Sequence, residues 1–426
     1  MKAEIISVSN DLLNGRVSDQ NAAYLLREFA GLGIKVSRSV FVEDAQKTLI
    51  EAIERAEQDA DLVVLIGGLG PDANDITKQT LSKHLDIPLV LDQISEDKII
   101  TYHKNSNIPM PANNQLQASV IQDATPIRNV TGLATGMFFE AKDNHYLLFP
   151  GPFDEFKPTY EEKVAPLIKE NFFKNTQIET RILRVFGLSD TELNLKLADF
   201  VNYDECSFVG IYPVGEEFEI RIVAKADSKQ ESGEEADALK KAIVQEIKPY
   251  IYSEKSESLL KTVKDLLSQN EWTVTAAESL TGGQFLSAFS SQEEASAVLS
   301  GGMVTYSTEV KNNVLGVPKA ITDKYGVVSA ECAISMAEKA GEMFEADIAV
   351  SLTGVAGPSS LEGEIPGTVW IGITKKGTQA FAKKYHFAYR RNKNRSLAVF
   401  SALDLVRKVI LEEEIEDKVT LDESEL

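Results

Sequence analysis

Apolar positions in this chain come as short unbroken runs that alternate with stretches of helical spacing. The run AEIISV (3–8) predicts a first strand. In NAAYLLREFAGLG, Ala22, Leu25, Leu26 and Phe29 recur at helical spacing, and Gly31-Leu32-Gly33 marks the stop. IKVSRSVFV predicts a second strand and AQKTLIEAIERAEQD a second helix. ADLVVLIGGLGP is apolar throughout and runs into glycines, as expected of a strand buried on both faces of a parallel sheet. This alternation implies βαβ units and an open parallel sheet. NHYLLFPGP (144–152) adds a closing strand, giving a first domain over 1–172.

The pattern then changes. TRILRVFGLSDTELNLKLADF reads as strand, turn and helix, with Ser189 and Glu192 at capping-box spacing. FVGIYPVGEEFEIRIVAKA reads as a hairpin turning near Val214-Gly215-Glu216. These elements and the helix after DSKQESGEE make a small α+β module over 176–252. From 256 the α/β rhythm resumes. Leu259, Val263, Leu266 and Leu267 share a helical face, and strands are expected in WTVTAAE, GGMVTYS, DIAVSLTGVAGP and GTVWIGITK. Helices are expected in GQFLSAFSS, SAECAISMAEKAGEMF and RSLAVFSALDLVRKVIL, so the third domain spans 256–411. The last segment, 412–426, carries eight acidic residues against one lysine and is expected to be a frayed, solvated tail. No internal repeat relates the two α/β halves.

Composition narrows the function classes. With 426 residues, 43% hydrophobic and 26% charged, the chain is globular and too long for one core. Its net charge of -21 repels nucleic-acid phosphates, so direct nucleic-acid binding is not expected. Cys206 and Cys332 form no metal-type pair, and low cysteine usage fits a reducing compartment. There is no leader-like N-terminus and no apolar run of membrane-spanning length, so the expected location is cytoplasmic, without a membrane partner.

Four stretches could carry chemistry. In LIGGLGPDANDITKQT, Gly67, Gly68 and Gly70 follow a buried strand, and Asp72, Asn74, Asp75 and Thr77 precede a helix. Such glycines let a ligand phosphate approach backbone N–H groups, and Asp72 and Asp75 could ligate a divalent cation. An ordinary loop with an aspartate cap fits the same residues. In TAAESLTGGQF, Glu278, Ser279, Thr281, Gly282 and Gly283 crowd one strand-to-helix turn. Ser279 is a nucleophile only with a base in reach, and Lys311 is a candidate because burial lowers a lysine pKa. A helix cap and a surface lysine remain the competing reading. SLTGVAGPSSLEG delivers Thr353, Gly354 and Ala356-Gly357-Pro358 to a long loop, a ligand lid or a plain connection. YRRNKNRSL gathers Arg390, Arg391, Lys393 and Arg395, able to hold a phosphate or simply to decorate a helix start.

Taken in order, AAESLTGG, GGMVTYSTEVKNNVLGV, YGVVSAE, SLTGVAGP and GTVWIGI resemble the C-terminal domain of the CinA family, which is shared with nicotinamide mononucleotide deamidases. VSNDLLNGRVSDQN, GGLGPDANDITKQT, NNQLQAS and LFPGPFDEFKPTYEEKV resemble that family's molybdopterin-binding-like N-terminal domain, and the middle module fits its architecture. For the C-terminal domain the resemblance implies metal-free hydrolysis of the mononucleotide's carboxamide to the acid and ammonia. Ser279 would be the nucleophile, Lys311 the base with Tyr306 beside it, and Thr353 would position the amide or oxyanion. Arg391 and Arg395 would take the phosphate, with Glu278, Thr281, Gly282, Gly283 and Gly354 shaping the substrate site.

For the N-terminal domain the resemblance implies a divalent-metal-dependent ADP-ribose pyrophosphatase, with Asp19, Asn21, Gly68, Gly70, Asp75, Thr77 and Glu155 as nucleotide or metal candidates. Asp75 would be the metal ligand. Two departures predict weakened cleavage. Ser9-Asn10-Asp11 stands where the family has Gly-Thr-Glu, and Asn74 stands where a carboxylate is usual. The resemblance also suggests a homodimer, and allows a competence-associated role as a partner of the recombinase RecA. A molybdopterin-binding protein is a weaker alternative, disfavoured by the altered loop at 67–77 and by the attached C-terminal domain.

Overall fold

The computed structural model describes residues 1–173, 176–201 and 207–421; Cys206 and the last five residues of the acidic tail lie outside them. In the N-terminal domain, β1 (Lys2–Val8), β2 (Lys35–Val42) and β3 (Leu62–Ile66) are the strands expected from the apolar runs. A short ladder of β4 (Leu89–Leu91) and β5 (Ser119–Ile121) stands apart from the main sheet. The main sheet is completed by β6 (Thr125–Ile127), β7 (Gly136–Ala141) and β8 (Asn144–Phe149), in the order β2-β1-β3-β8-β7-β6.

Four strands of this sheet are mutually parallel, as the alternation implied, whereas β7 runs antiparallel to both its neighbours, β8 and β6. The reversal is a two-residue hairpin in which Lys142 and Asp143 both adopt positive φ, 50° and 68°. A glycine-poor primed turn of this kind carries little sequence signal.

The middle module is a four-stranded sheet in the order β10-β11-β9-β12: β9 (Gln177–Val185), β10 (Phe208–Val214), β11 (Glu217–Ala226) and β12 (Ile251–Ser253). Ser189 and Glu192 form the capping box, each accepting from the other's backbone N–H. Beneath the sheet, Arg184 is buried against Glu217 and Glu219, and its Nε donates to the Tyr252 hydroxyl at 2.9 Å. Glu217 also accepts the Leu259 N–H at 2.7 Å, at the start of the next domain's first helix. Replacing Glu217 by alanine leaves the guanidinium buried without its main partner and is expected to cost about 3–5 kcal/mol, read from the urea midpoint.

The C-terminal domain is built on β13 (Val274–Glu278), β14 (Leu299–Val304), β15 (Ile348–Gly354), β16 (Thr368–Lys375), β17 (Phe381–His386) and β18 (Lys418–Val419). The sheet order is β14-β13-β15-β16-β17-β18, with β13 parallel to both its neighbours and the later pairs antiparallel. Alternation along the strands divides two cores. Val274, Ala276, Ile348, Val350 and Leu352 pack with helices Leu259–Gln269 and Arg391–Ile410, while Ala277 and Ala349 face helix Ala330–Phe344.

The tail departs from expectation. Through Leu421 it folds back as the edge strand β18, with Leu421 buried and its carbonyl accepting from Gln379 at 3.0 Å. Lys418, Val419 and Leu421 interrupt the acidic run enough to pair, a local pattern that net charge conceals.

Candidate active site

β13, β14 and β15 are three adjacent parallel strands, and their carboxyl ends converge, the usual place for a ligand in an open α/β sheet. Ser279 is the first residue after β13. Its N–H donates to Leu352 O at 2.8 Å, which sets it beside Thr353 at the end of β15. The chain after β14 turns through Thr305 and Tyr306 into a single π-helical turn, Lys311–Leu315, that returns Lys311 to the strand ends.

Lys311 Nζ lies 3.0 Å from Ser279 Oγ and 2.8 Å from Thr305 O. Lys311 is 1% exposed and, among the described residues, has no carboxylate within ion-pair distance. Burial holds its pKa below the ordinary lysine value, and the Glu362 carboxylate nearby opposes that shift. Serine and lysine, 32 residues apart in sequence, are thus brought to hydrogen-bond distance, the geometry that a nucleophile and its base require.

The turn holding Ser279 is fixed from behind. Glu278 is fully buried and cannot touch a ligand; its carboxylate accepts the N–H groups of Gly283, Phe285 and Leu286 at 3.0, 3.1 and 2.9 Å. It therefore caps helix Gln284–Ser290, which corrects its expected place in the substrate site. Gly282 and Gly283 take φ of 60° and 95°, a left-handed pair open only to glycine at little cost. The amides of Leu280 and Thr281 have no acceptor among the described residues, and the buried Thr281 hydroxyl has no partner.

The basic patch divides its labour. Arg395 donates to Leu280 O at 3.0 Å and Thr281 O at 2.7 Å, so it braces the turn after Ser279 rather than standing free for a phosphate. Lys393 pairs with Glu216 of the middle module's hairpin. Arg391, which is exposed, donates to Gly357 O at 2.8 Å and to the Tyr306 hydroxyl at 3.0 Å, joining two loops at the rim.

Thr353 is buried and its hydroxyl donates to Val327 O at 2.5 Å, leaving its lone pairs as acceptors. A committed donor cannot also stabilise an oxyanion, so the threonine is suited to an amide N–H instead. At Gly354, φ is 159° and a Cβ would strike Thr368 O, so only glycine passes there. Sequence reasoning missed Asn394, fully buried, which donates to Ala356 O at 3.1 Å and Tyr389 O at 2.9 Å and holds the loop after Thr353. An asparagine in a helix start carries no distinctive signal.

The N-terminal domain has a cavity of about 570 Å³ at the carboxyl ends of β1 and β3. Asp11, Asp19, Asp44, Asp75, Asn21, Asn74 and Gly68 line it, and among the described residues no Lys or Arg does. Gly70, Thr77 and Glu155 are not on its wall. Thr77 is buried, donating to Gly67 O at 2.8 Å, Gly70 packs against the Asp75 carboxylate, and Glu155 accepts from Asn129 Nδ2 at 2.6 Å.

Asp75 accepts the Asp72 N–H at 2.9 Å, and Asp19 caps helix Gln20–Gly31 through Ala22 N at 2.8 Å. Among the described residues no three His, Cys, Asp or Glu side chains converge to hold a metal, so the carboxylates present do not form a protein-made cation site. Lys78, three residues beyond Asp75 of the wall, carries no signal in the sequence; burial pulls its pKa down to about 7 despite Asp75 nearby, and it donates to Gln117 O at 2.9 Å.

Fold and site together define a three-part α/β protein with a buried Ser–Lys pair. Consecutive segments match three family models: a probable molybdopterin binding domain over 4–170, a damage-inducible protein CinA KH domain over 180–253 and a CinA C-terminal domain over 256–410. A competence-damage inducible protein of Pediococcus pentosaceus is 38% identical, covering 95% of this chain and 98% of the relative. One from Listeria welshimeri is 37% identical, with the same coverage of 95% and 98%. A crystal structure of a CinA superfamily protein from Klebsiella pneumoniae, 31% identical, covers 36% of this chain and 96% of its own, with a TM-score of 0.35. The chain belongs to the CinA family of competence-damage inducible proteins. No helix among the described residues is long and apolar enough to cross a membrane.

Proposed function

We propose that the C-terminal domain hydrolyses the carboxamide of nicotinamide mononucleotide to the acid mononucleotide and ammonia. The observation that carries this reading is the 3.0 Å contact between Ser279 Oγ and the buried nitrogen of Lys311. Neutral Lys311 takes the hydroxyl proton as Oγ attacks the carboxamide carbon. The free amides of Leu280 and Thr281 are donors for the oxyanion, in a turn already braced by Arg395 and Glu278. Thr353, an acceptor, holds the carboxamide N–H.

Collapse of the tetrahedral adduct breaks the C–N bond. The lysine ammonium returns its proton to the leaving nitrogen, which departs as ammonia. Water, deprotonated by Lys311, then attacks the Ser279 ester, and the lysine ammonium returns that proton to Oγ as the acid mononucleotide leaves. These steps use only side chains and amides of this chain. Arg391, exposed at the rim beside Tyr306, takes the 5′-phosphate in this reading, in exchange for its contacts to Gly357 O and the Tyr306 hydroxyl.

The N-terminal cavity supports a weaker reading. Four aspartates and no cation at its wall oppose a diphosphate, and the carboxylates do not converge on a metal. Full-length protein given ADP-ribose and magnesium is therefore expected to release AMP at no more than trace rates. Robust cleavage, lost in Asp75→Ala, would show that substrate and metal reorganise this wall. The test of the main reading is ammonia release from the mononucleotide by purified protein, in which absence of turnover would sink it.

A further inference from the structure

The loop after β15 ends in a tight turn, Leu361-Glu362-Gly363-Glu364, closed by Leu361 N to Glu364 O at 3.2 Å and the reverse bond at 2.9 Å. Glu362 and Gly363 take φ of 53° and 82°, the two left-handed positions of a primed turn.

The Glu362 carboxylate accepts Val327 N at 2.7 Å and Val328 N at 3.2 Å. It approaches so closely over Gly326, at φ 80°, that a Cβ there would collide with it. The N–H of Val328 and the carbonyl of Val327 belong to one peptide group, and that carbonyl is the acceptor of the Thr353 hydroxyl at 2.5 Å. An anion on the N–H end of a peptide raises the negative charge on its oxygen, because hydrogen bonds in a chain polarise one another. The Thr353 proton is thereby fixed on Val327 O, and its lone pairs are fixed as acceptors.

We propose that Glu362 is a specificity-determining residue, which acts through the 327–328 peptide to keep Thr353 an acceptor, so that the site takes a carboxamide and rejects the matching carboxylate. This rests on the proposed deamidase reading. An amide N–H satisfies the fixed acceptor, whereas a carboxylate oxygen sets two acceptors against each other. Product is therefore released from the same contact that held the substrate. Glu362 is a positioning residue here, since it touches the peptide and not the substrate.

The test compares the full chain with Glu362→Ala and Glu362→Gln, each also carrying Ser279→Ala, by calorimetric titration with the amide and the acid mononucleotides. Glu362→Ala frees the Thr353 hydroxyl to donate, and is expected to move the ratio of the two dissociation constants about tenfold toward the acid. Glu362→Gln, which keeps an acceptor without the charge, falls between. A loop that merely props up the fold would weaken both ligands together, so an unchanged ratio overturns the proposal.

Amide hydrogen exchange of Val327 and Val328 is measured on the same proteins without ligand. Faster exchange in Glu362→Ala is expected, and unchanged protection overturns the linkage whatever the substrate proves to be. Loss of binding of both nucleotides by the Ser279→Ala parent itself, with the exchange result intact, would instead strike the deamidase reading.

Discussion

Ser279→Ala is expected to bring ammonia release from nicotinamide mononucleotide down by at least about a thousandfold, while leaving the dissociation constant of the nucleotide within a few-fold of the parent. Removing one oxygen deletes the bond-forming atom. The turn around it is held by other groups: Glu278 accepts three amides, Arg395 takes two carbonyls, and Ser279 N–H bonds to Leu352 O through the main chain. The fold should therefore survive, and urea unfolding of the variant should match the parent. A comparable loss in both binding and folding would mean that the serine is a structural cap, the reading that its sequence neighbourhood alone favoured.

The second large effect belongs to Lys311. Burial at 1% exposure disfavours its charged form and lowers its pKa, and among the described residues no carboxylate pairs with it. Lys311→Met should cut turnover by roughly 10²–10⁴-fold, the range of a lost general base. It should also make the protein more stable at neutral pH.

The sign follows from proton linkage. Between the lowered pKa of the folded state and the ordinary lysine value, the unfolded chain binds more protons, so wild-type stability rises with pH across that window. Below the lowered pKa the folded protein must bury an unpaired ammonium, and the cost is fully present. The methionine variant lacks that slope. In wild type, turnover should climb with pH through the folded-state pKa and then level as Lys311 becomes neutral. Flat stability curves in both proteins would show that the amine carries no such cost.

Much of this arrangement was legible before any coordinates. The strands that lead to Ser279 and Thr353 were marked by short runs rich in apolar residues, Val274, Ala276 and Ala277 in one and Ile348, Ala349, Val350 and Leu352 in the other, as expected of strands covered on both faces. The capping box at Ser189 and Glu192 was equally plain, its spacing set by the first helical turn. What stayed hidden depends on contacts between distant segments. Glu278 sits next to the nucleophile in sequence, yet its side chain turns inward to the following helix, a distinction that spacing does not encode. Arg395 looked like a phosphate ligand because it shares a basic run with Arg391, and only the packing shows that it braces Leu280 and Thr281. Glu362 lay in a loop without periodicity, and its importance arises from a peptide group more than thirty residues away. The tail was judged by net charge, which misses the three residues that let it pair as β18.

The most direct test of the central claim is to quench the reaction in acid during steady-state turnover and weigh the peptide that contains Ser279. The expected result is an adduct equal in mass to the mononucleotide minus ammonia, present in the parent and missing from Ser279→Ala together with its turnover. Ammonia release by Ser279→Ala at the parent's rate, with no adduct on the parent peptide, would contradict it.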